Sequence, residues 1–125
     1  MRNMSFALTK AQIRDQSKTV TRRMGWWFLR PGDIVQPVEK SQGIKKGEHV
    51  VKIGCPIRIK MAYAESLTDI TQDECVRDGF PQMGPHDFVE MFCDFNDCEA
   101  GVVPNRIEFE YTVPLASENA AGKAE

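Results

Sequence analysis

The chain of 125 residues has no long apolar run, and its densest hydrophobic stretch, residues 24–29, is interrupted by a glycine. A membrane-spanning helix needs about 20 consecutive apolar residues, so the sequence predicts none. Residues 1–8 also lack the apolar core and the small-residue cleavage site of a secretory signal. We therefore expect a cytoplasmic protein with no membrane partner.

Residue types that bind metals are also scarce, with two histidines and four cysteines, and no cysteine belongs to a C-x-x-C pair. A zinc site made of Cys75, His86, Cys93 and Cys98 is conceivable, but their spacing matches no common zinc motif. In the cytoplasm, buried reduced thiols are the better interpretation. The sequence therefore predicts no metal and no other cofactor.

The size of the chain favours a single domain. With 42% hydrophobic residues, such a chain buries about two thirds of its unfolded surface on folding and needs no disulfide or metal to be stable. We assign residues 1–115 to this domain. Residues 116–125 are small and polar and are predicted to form a disordered tail.

The charge is unevenly distributed along the chain, although the net charge is only −2. Residues 1–60 carry 13 Lys and Arg against four acids, a net charge of +9. Residues 61–125 carry three Lys and Arg against 14 acids, a net charge of −11. This asymmetry indicates either a surface that attracts a polyanion or two halves that pair with each other in the fold.

Hydrophobic periodicity and capping residues predict an α+β fold. Capping-box pairs, Thr9 with Gln12 and Thr71 with Glu74, mark the starts of two helices, and Gly79 ends the second. The predicted helices are residues 10–16, about 72–78 and 85–92. The predicted strands are residues 4–8, 18–23, 34–38, 49–53, 57–63 and 105–113. Short strands with two or three short helices are typical of a small, mostly antiparallel β-barrel.

The stretch from Lys18 to Arg23, of sequence KTVTRR, carries most of the chemistry in the sequence. It supplies an amine, two hydroxyls and two guanidiniums within six residues. Its β-branched residues favour a strand, on which Thr21 and Arg23 share one face and Arg22 lies on the other. Lys18 converges with Thr21 only if Lys18 lies in the turn before the strand.

Two tryptophans follow this stretch, and together with nearby basic residues they are candidates for binding a nucleic acid. Trp26 or Trp27 could stack on a base, because aromatic stacking tolerates any base. The alternative is that both tryptophans are core residues. The predicted binding residues are Arg22, Arg23, Trp26, Trp27, Lys45 and Lys46.

Five landmarks, taken in order over about residues 4–113, resemble the ASCH domain, a relative of the PUA RNA-binding barrel. The resemblance is closest to the short stand-alone ASCH proteins of bacteria and their phages. It rests on Lys18-Thr19-Val20-Thr21-Arg22-Arg23, Pro31-Gly32-Asp33, Leu67…Ile70-Thr71, Asp78-Gly79-Phe80 and Arg106-Ile107-Glu108-Phe109.

This resemblance implies an amidohydrolase that acts on an acylated pyrimidine nucleoside such as 4-acetylcytidine. One branch of the family uses a lysine, a threonine and a glutamate for this reaction, and the first two correspond to Lys18 and Thr21. Asp78 stands where the family has the glutamate, and Glu74, one helical turn earlier, is the substitute candidate. The resemblance also allows a non-catalytic RNA-binding module or a ribonuclease with the same basic cleft, so the expected partner is a nucleoside or single-stranded RNA.

Overall fold

The computed structural model describes residues 1–40, 47 and 49–115, which form an α+β fold. Its strands are β1 (Arg2–Ser5), β2 (Val20–Arg23), β3 (Ile34–Val38), β4 (Ile57–Ala64) and β5 (Asn105–Tyr111). Its helices are α1 (Lys10–Arg14), α2 (Gln72–Arg77) and α3 (Pro85–Asn96), and a 3₁₀ turn covers Leu67–Asp69. The predicted tail, residues 116–125, lies outside the described residues.

The five strands form one mixed sheet in the order β1-β3-β4-β5-β2. Three neighbouring pairs are antiparallel, and β1 pairs with β3 in parallel. The prediction of a mostly antiparallel sheet is therefore confirmed for three of the four pairings.

The predicted closed barrel is not supported, because the described sheet is open, with β1 and β2 as its edges. No backbone ladder joins these two edges among the described residues. A side chain links them instead, since Arg23 Nη2 on β2 donates a 2.6 Å hydrogen bond to the carbonyl oxygen of Ser5 on β1. We call the boundary between the two edge strands, β1 and β2, the seam of the sheet.

Two hydrophobic clusters lie on either side of this seam. Each fully buried aliphatic or aromatic side chain stabilises the fold by roughly 1.5–3 kcal/mol. The cluster of the sheet contains Met4, Phe6, Ile13, Leu29, Val35, Ile53, Ile57, Ile59, Ile107 and Phe109. The cluster beneath α2 and α3 contains Leu67, Ile70, Cys75, Phe88 and Phe92.

The helices differ from the prediction mainly at their ends. Helix α1 stops at Arg14 and has no side-chain cap from Thr9, so the first capping box was wrong. Of the second, the Thr71 cap is confirmed, because the Thr71 hydroxyl accepts from the Glu74 amide at 3.3 Å, but the Glu74 carboxylate bonds to Arg22 and Arg106 instead of returning to the Thr71 amide. Helix α3 runs four residues past the predicted end at Phe92, and it ends where Asp97 adopts a left-handed conformation.

The strands also show local corrections. The strand predicted at residues 49–53 reduces to one bridge, between Lys52 and Val38. In β4 the apolar alternation holds only as far as Ile59. A register shift between Ile59 and Met61 leaves Met61 and Tyr63 each 43% exposed.

None of the helices in the described ranges has the length and apolar character that crossing a bilayer requires.

Candidate active site

A cleft of about 450 Å³ opens at the seam of the sheet. Its floor is formed by residues that follow β1 and by residues of β2, and its far wall is formed by α3. This volume lies within the range of about 300–1,000 Å³ that is usual for small-molecule sites. Four of the six residues of the KTVTRR stretch line the cleft: Lys18, Thr21, Arg22 and Arg23.

Lys18 lies in the turn before β2, which is the position it needs in order to share a cleft with Thr21. The Tyr111 hydroxyl donates a 2.6 Å hydrogen bond to its carbonyl oxygen, and its amide donates to the Gln12 carbonyl at 3.2 Å. These bonds fix the backbone of Lys18. The straight-strand geometry that would separate Lys18 from Thr21 therefore does not apply.

The Lys18 ammonium is almost completely withdrawn from water, since the residue is only 2% exposed. Its Nζ donates to Asp78 Oδ1 at 2.8 Å and also to the Asp78 carbonyl oxygen. Burial lowers the pKa of Lys18 below its ordinary 10.5, and the Asp78 carboxylate offsets only part of that effect. Burial thus favours the neutral amine, the form that can accept a proton.

Asp78 reaches Lys18 although aspartate is one methylene shorter than glutamate. It caps the C-terminal end of α2, and its second oxygen accepts from Arg22 Nη1 at 3.1 Å. Gly79, with φ of +98°, brings the chain close to the floor of the cleft. A Cβ at Gly79 would lie 3.0 Å from Thr9 Cγ2 and 3.5 Å from Lys18 Cδ.

Thr21 is buried on β2, and its hydroxyl oxygen accepts a 3.0 Å hydrogen bond from Arg23 Nε. A hydroxyl that accepts from a guanidinium keeps its own proton free to donate, and the neighbouring positive charge favours the alkoxide. No hydrogen bond joins Thr21 to Lys18 in the described part of the chain. Catalytic hydrogen bonds of this kind often form only when the substrate is bound.

Arg22 is held by three carboxylates. Its Nη2 donates to Glu65 Oε1 at 2.8 Å and to Glu74 Oε1 at 2.6 Å, and its Nη1 donates to Asp78. Burial opposes the charge, but these carboxylates raise the pKa of Arg22. The buried Arg22 Nε has no partner among the described residues.

Glu74 belongs to this network of ion pairs and does not contact Lys18. Arg106 donates to both of its carboxylate oxygens, at 2.7 and 3.0 Å. The hydrogen bonds from Arg106, followed by those from Arg22, lower the pKa of Glu74 to about 2. The acid that contacts Lys18 is therefore Asp78. The sequence alone did not decide between Asp78 and Glu74.

Aromatic side chains form the walls of the cleft, and most come from segments distant in sequence from the KTVTRR stretch. Lys18 Nζ lies 5.8 Å from the centroid of the Phe6 ring and 5.6 Å from that of Phe80. The other rings that line the cleft belong to Trp26, Phe88, Phe92 and Phe95. Sequence reasoning missed all of these rings except Trp26.

The two tryptophans have different environments. Trp26 is partly buried and lines the cleft, whereas Trp27 is 56% exposed and does not. Trp26 adopts a left-handed backbone with φ of 62°, which is unfavourable for a bulky residue. The Asn105 amide holds this loop by donating to the carbonyl oxygens of Gly25 and Trp26.

Two more predicted binding residues, Lys45 and Lys46, lie outside the described residues. Lys40 is described, and it lines the rim of the cleft.

A second, more open groove of about 630 Å³ follows the outer face of α3, and it includes His86 and Cys93. Within the described ranges, no group of three or more histidine, cysteine or acidic side chains is placed to hold a metal ion. Burial and the neighbouring Cys93 raise the pKa of the Cys98 thiol, which disfavours its thiolate.

No family model, no characterised protein and no solved structure matches the chain. The function has to be argued from the cleft and its residues.

Proposed function

We propose that the protein is an amidohydrolase that removes the acyl group from an acylated pyrimidine nucleoside such as 4-acetylcytidine. The motif resemblance to the ASCH domain supports this reaction, and we propose that the chain is a member of that family. We also propose a cytoplasmic setting, where the four free cysteines would remain reduced.

One observation carries the proposal: a buried lysine with a lowered pKa shares an aromatic cleft with a buried threonine hydroxyl. A hydroxyl nucleophile needs a nearby base that is neutral at the working pH. Burial of Lys18 favours its neutral amine, which is the form that can act as a base, although Asp78 offsets part of this effect. The aromatic walls suit a flat pyrimidine ring, which stacks on such side chains.

In the proposed reaction, neutral Lys18 takes the proton of the Thr21 hydroxyl as Thr21 Oγ1 bonds to the amide carbon. The carbonyl π electrons move to the oxygen, and their return expels the exocyclic amine, which receives the proton from the Lys18 ammonium. Water then attacks the acyl-threonine ester, Lys18 takes a proton from that water, and the Thr21 oxygen leaves with it. The sum is amide plus water giving amine plus carboxylic acid.

Asp78 has a positioning role in this scheme. Its 2.8 Å contact with Lys18 Nζ stabilises the ammonium that forms after each proton transfer. Its contact with Arg22 orients the carboxylate toward Lys18. Glu74 acts one step further away, by holding Arg22 and Arg106.

The test is incubation of the pure protein with 4-acetylcytidine, followed by chromatographic detection of cytidine and acetate. Thr21→Val removes the hydroxyl at nearly constant shape, and we expect hydrolysis to fall by about 10³-fold or more. Thr19→Val is the matched control, since Thr19 belongs to the same motif but accepts from Arg77 Nε at 3.3 Å and does not line the cleft. Full activity in Thr21→Val, or no cytidine at high enzyme concentration, would contradict the proposal.

A second candidate is a binding module for RNA or a nucleotide without catalysis, or with ribonuclease activity. It is favoured by aromatic side chains that reach solvent, since Phe95 at the cleft is 63% exposed and Trp27 is 56% exposed. Such rings can stack on bases at roughly 1–3 kcal/mol each.

Binding of single-stranded RNA at several salt concentrations tests this candidate, because phosphate contacts predict affinity that falls steeply with salt. Phe95→Ala should weaken the complex, while Val113→Ala, which also changes an exposed apolar residue, should leave it unchanged. Absent or salt-independent binding would count against this second candidate, and RNA cleavage would identify a ribonuclease.

A further inference from the structure

Arg23 differs from the other arginines near the cleft in the groups to which it donates hydrogen bonds. Arg22, Arg77 and Arg106 each contact at least two carboxylates. Arg23 forms no ion pair with the acids of the described residues. It uses two N–H groups, Nε toward the Thr21 hydroxyl and Nη2 toward the carbonyl oxygen of Ser5, and both acceptors are neutral.

The guanidinium of Arg23 has donors to spare at the floor of the cleft. A guanidinium has five N–H groups, so three of them have no acceptor among the described residues. The group lies over the Phe6 ring, 4.6 Å from the ring centroid, with the cleft beside it. A planar cation stacked on a ring offers its edge to a ligand.

The charges that line the cleft are also unbalanced. Among the described residues, four cationic side chains line it, those of Lys18, Arg22, Arg23 and Lys40, against one carboxylate, that of Asp78. That carboxylate is already engaged by Lys18 and Arg22. Arg23 is partly buried and bonds only to neutral acceptors, so a bound anion would supply a counter-charge that the described side chains do not place in contact with it.

We infer that Arg23 forms a carboxylate subsite beside Thr21, which binds short-chain carboxylates such as acetate. Its identity as the acyl subsite rests on the proposed function. The subsite receives the acyl oxygen as a carbonyl in the substrate, as the oxyanion of the tetrahedral intermediate, and as the carboxylate of the released acid. Arginine suits this sequence because its fork donates to two oxygens, and more strongly once they are charged.

The position of Thr21 gives the inference its geometry. Arg23 Nε lies 3.0 Å from Thr21 Oγ1, and in the acyl-threonine this oxygen is bonded to the acyl carbon. The oxygens of the acyl group are then within reach of the remaining N–H groups on the same guanidinium. Donors fixed where negative charge develops contribute about 10²- to 10³-fold to the rate of acyl transfer.

The experiment measures acetate binding to the native protein by NMR titration, with sodium chloride at matched ionic strength as the reference. We expect the Arg23 side-chain Nε–H signal to shift with acetate and to saturate, and Arg23→Gln to weaken acetate binding by about tenfold or more. Arg58→Gln is the matched control, because Arg58 lies on β4 and pairs with the exposed Glu110. Arg23→Lys should retain part of the binding, since it keeps the charge and loses the fork.

The outcomes separate this inference from the proposed reaction. Acetate binding that needs Arg23, without any hydrolysis of 4-acetylcytidine, supports the subsite and overturns the reaction. Hydrolysis with no response of Arg23 to acetate overturns the subsite and leaves the reaction standing. If Arg23→Gln does not fold, the native titration decides alone, and an Arg23 signal that moves equally with acetate and chloride overturns the inference.

Discussion

A lysine that is withdrawn from water must lose its proton or keep an anion beside it, and Lys18 is placed between these two outcomes. Burial favours the neutral amine, and Asp78 favours the ammonium. A base that alternates between the two forms during a reaction benefits from such a balance. Arg22 and Arg23 add positive charge nearby and shift the balance further toward the amine.

Glu74 is predicted to make stability depend on acid pH. Its pKa is about 2 in the fold against an ordinary value of 4.5, so the folded protein binds fewer protons than the unfolded chain between these values. The stabilisation is fully present above about pH 4.5 and is lost as the pH falls toward 2. Urea unfolding of native protein and Glu74→Gln across this range measures the effect.

We expect the stability of Glu74→Gln to vary less with pH in this window, because the glutamine side chain does not titrate. Glu110→Gln is the control, since Glu110 pairs with Arg58 at a site where both side chains are nearly half exposed. Equal pH slopes in native protein and Glu74→Gln would show that the Glu74 network contributes nothing to acid stability.

At the same scale, the sequence identified the polar residues of the cleft better than its walls. Lys18, Thr21 and Arg23 lie within six consecutive residues, so the sequence could predict that they line one cleft. The ring of Phe6 on one side and those of Phe80 and Phe88 on the other reach the cleft only through tertiary packing. No local pattern distinguishes a ring that faces a cleft from one that faces a core.

Among the elements, the end of α2 brings Asp78 into the cleft, and the chain then turns at Gly79. We expect Gly79→Ala to be destabilising by about 1 kcal/mol or more, since φ of +98° is unfavourable for alanine and the new Cβ would meet Thr9. Thermal unfolding measures this cost. Gly101→Ala is the matched control, because a Cβ there has no neighbour within 4 Å.

A Gly79→Ala protein as stable as the Gly101→Ala protein would contradict this account of the turn. The residue that must shift in Gly79→Ala is Thr9, whose Cγ2 lies 3.0 Å from the added Cβ, whereas Lys18 Cδ at 3.5 Å comes only into ordinary van der Waals contact.

The elements whose type was predicted correctly are those with unbroken periodicity. Helix α2, with its Thr71 cap and Gly79 stop, matches the prediction closely. Strand β4 was predicted at nearly its observed residues, but the register shift after Ile59 leaves Met61 and Tyr63 exposed, where the alternation predicted burial. The apolar alternation continues unchanged past Ile59, so it does not reveal the bulge.

For the molecule as a whole, the basic and acidic halves of the chain pair with each other at several places. Arg58 contacts Glu110 at 2.9 Å, and Lys60 contacts Glu108 at 3.6 Å. Arg22 contacts Glu65 at 2.8 Å. From the sequence alone, this pairing and a surface that attracts a polyanion were equally compatible with the charge asymmetry. Among the described basic residues of the first half, Lys18, Arg22, Arg58 and Lys60 pair in this way, so their charges are balanced within the fold.

The whole account depends on neutral Lys18 acting as the base in this cleft. The most direct test is the pH profile of kcat/KM for 4-acetylcytidine, since this ratio reports the ionisation of the free enzyme. We expect kcat/KM to rise with pH, to reach half its maximum at an apparent pKa below 10.5, and to level off above that pH. In Asp78→Asn, which removes the charge that stabilises the ammonium, the rise should move to lower pH. A rate that is independent of pH, or a rise that stays in place or moves to higher pH in Asp78→Asn, would contradict the account.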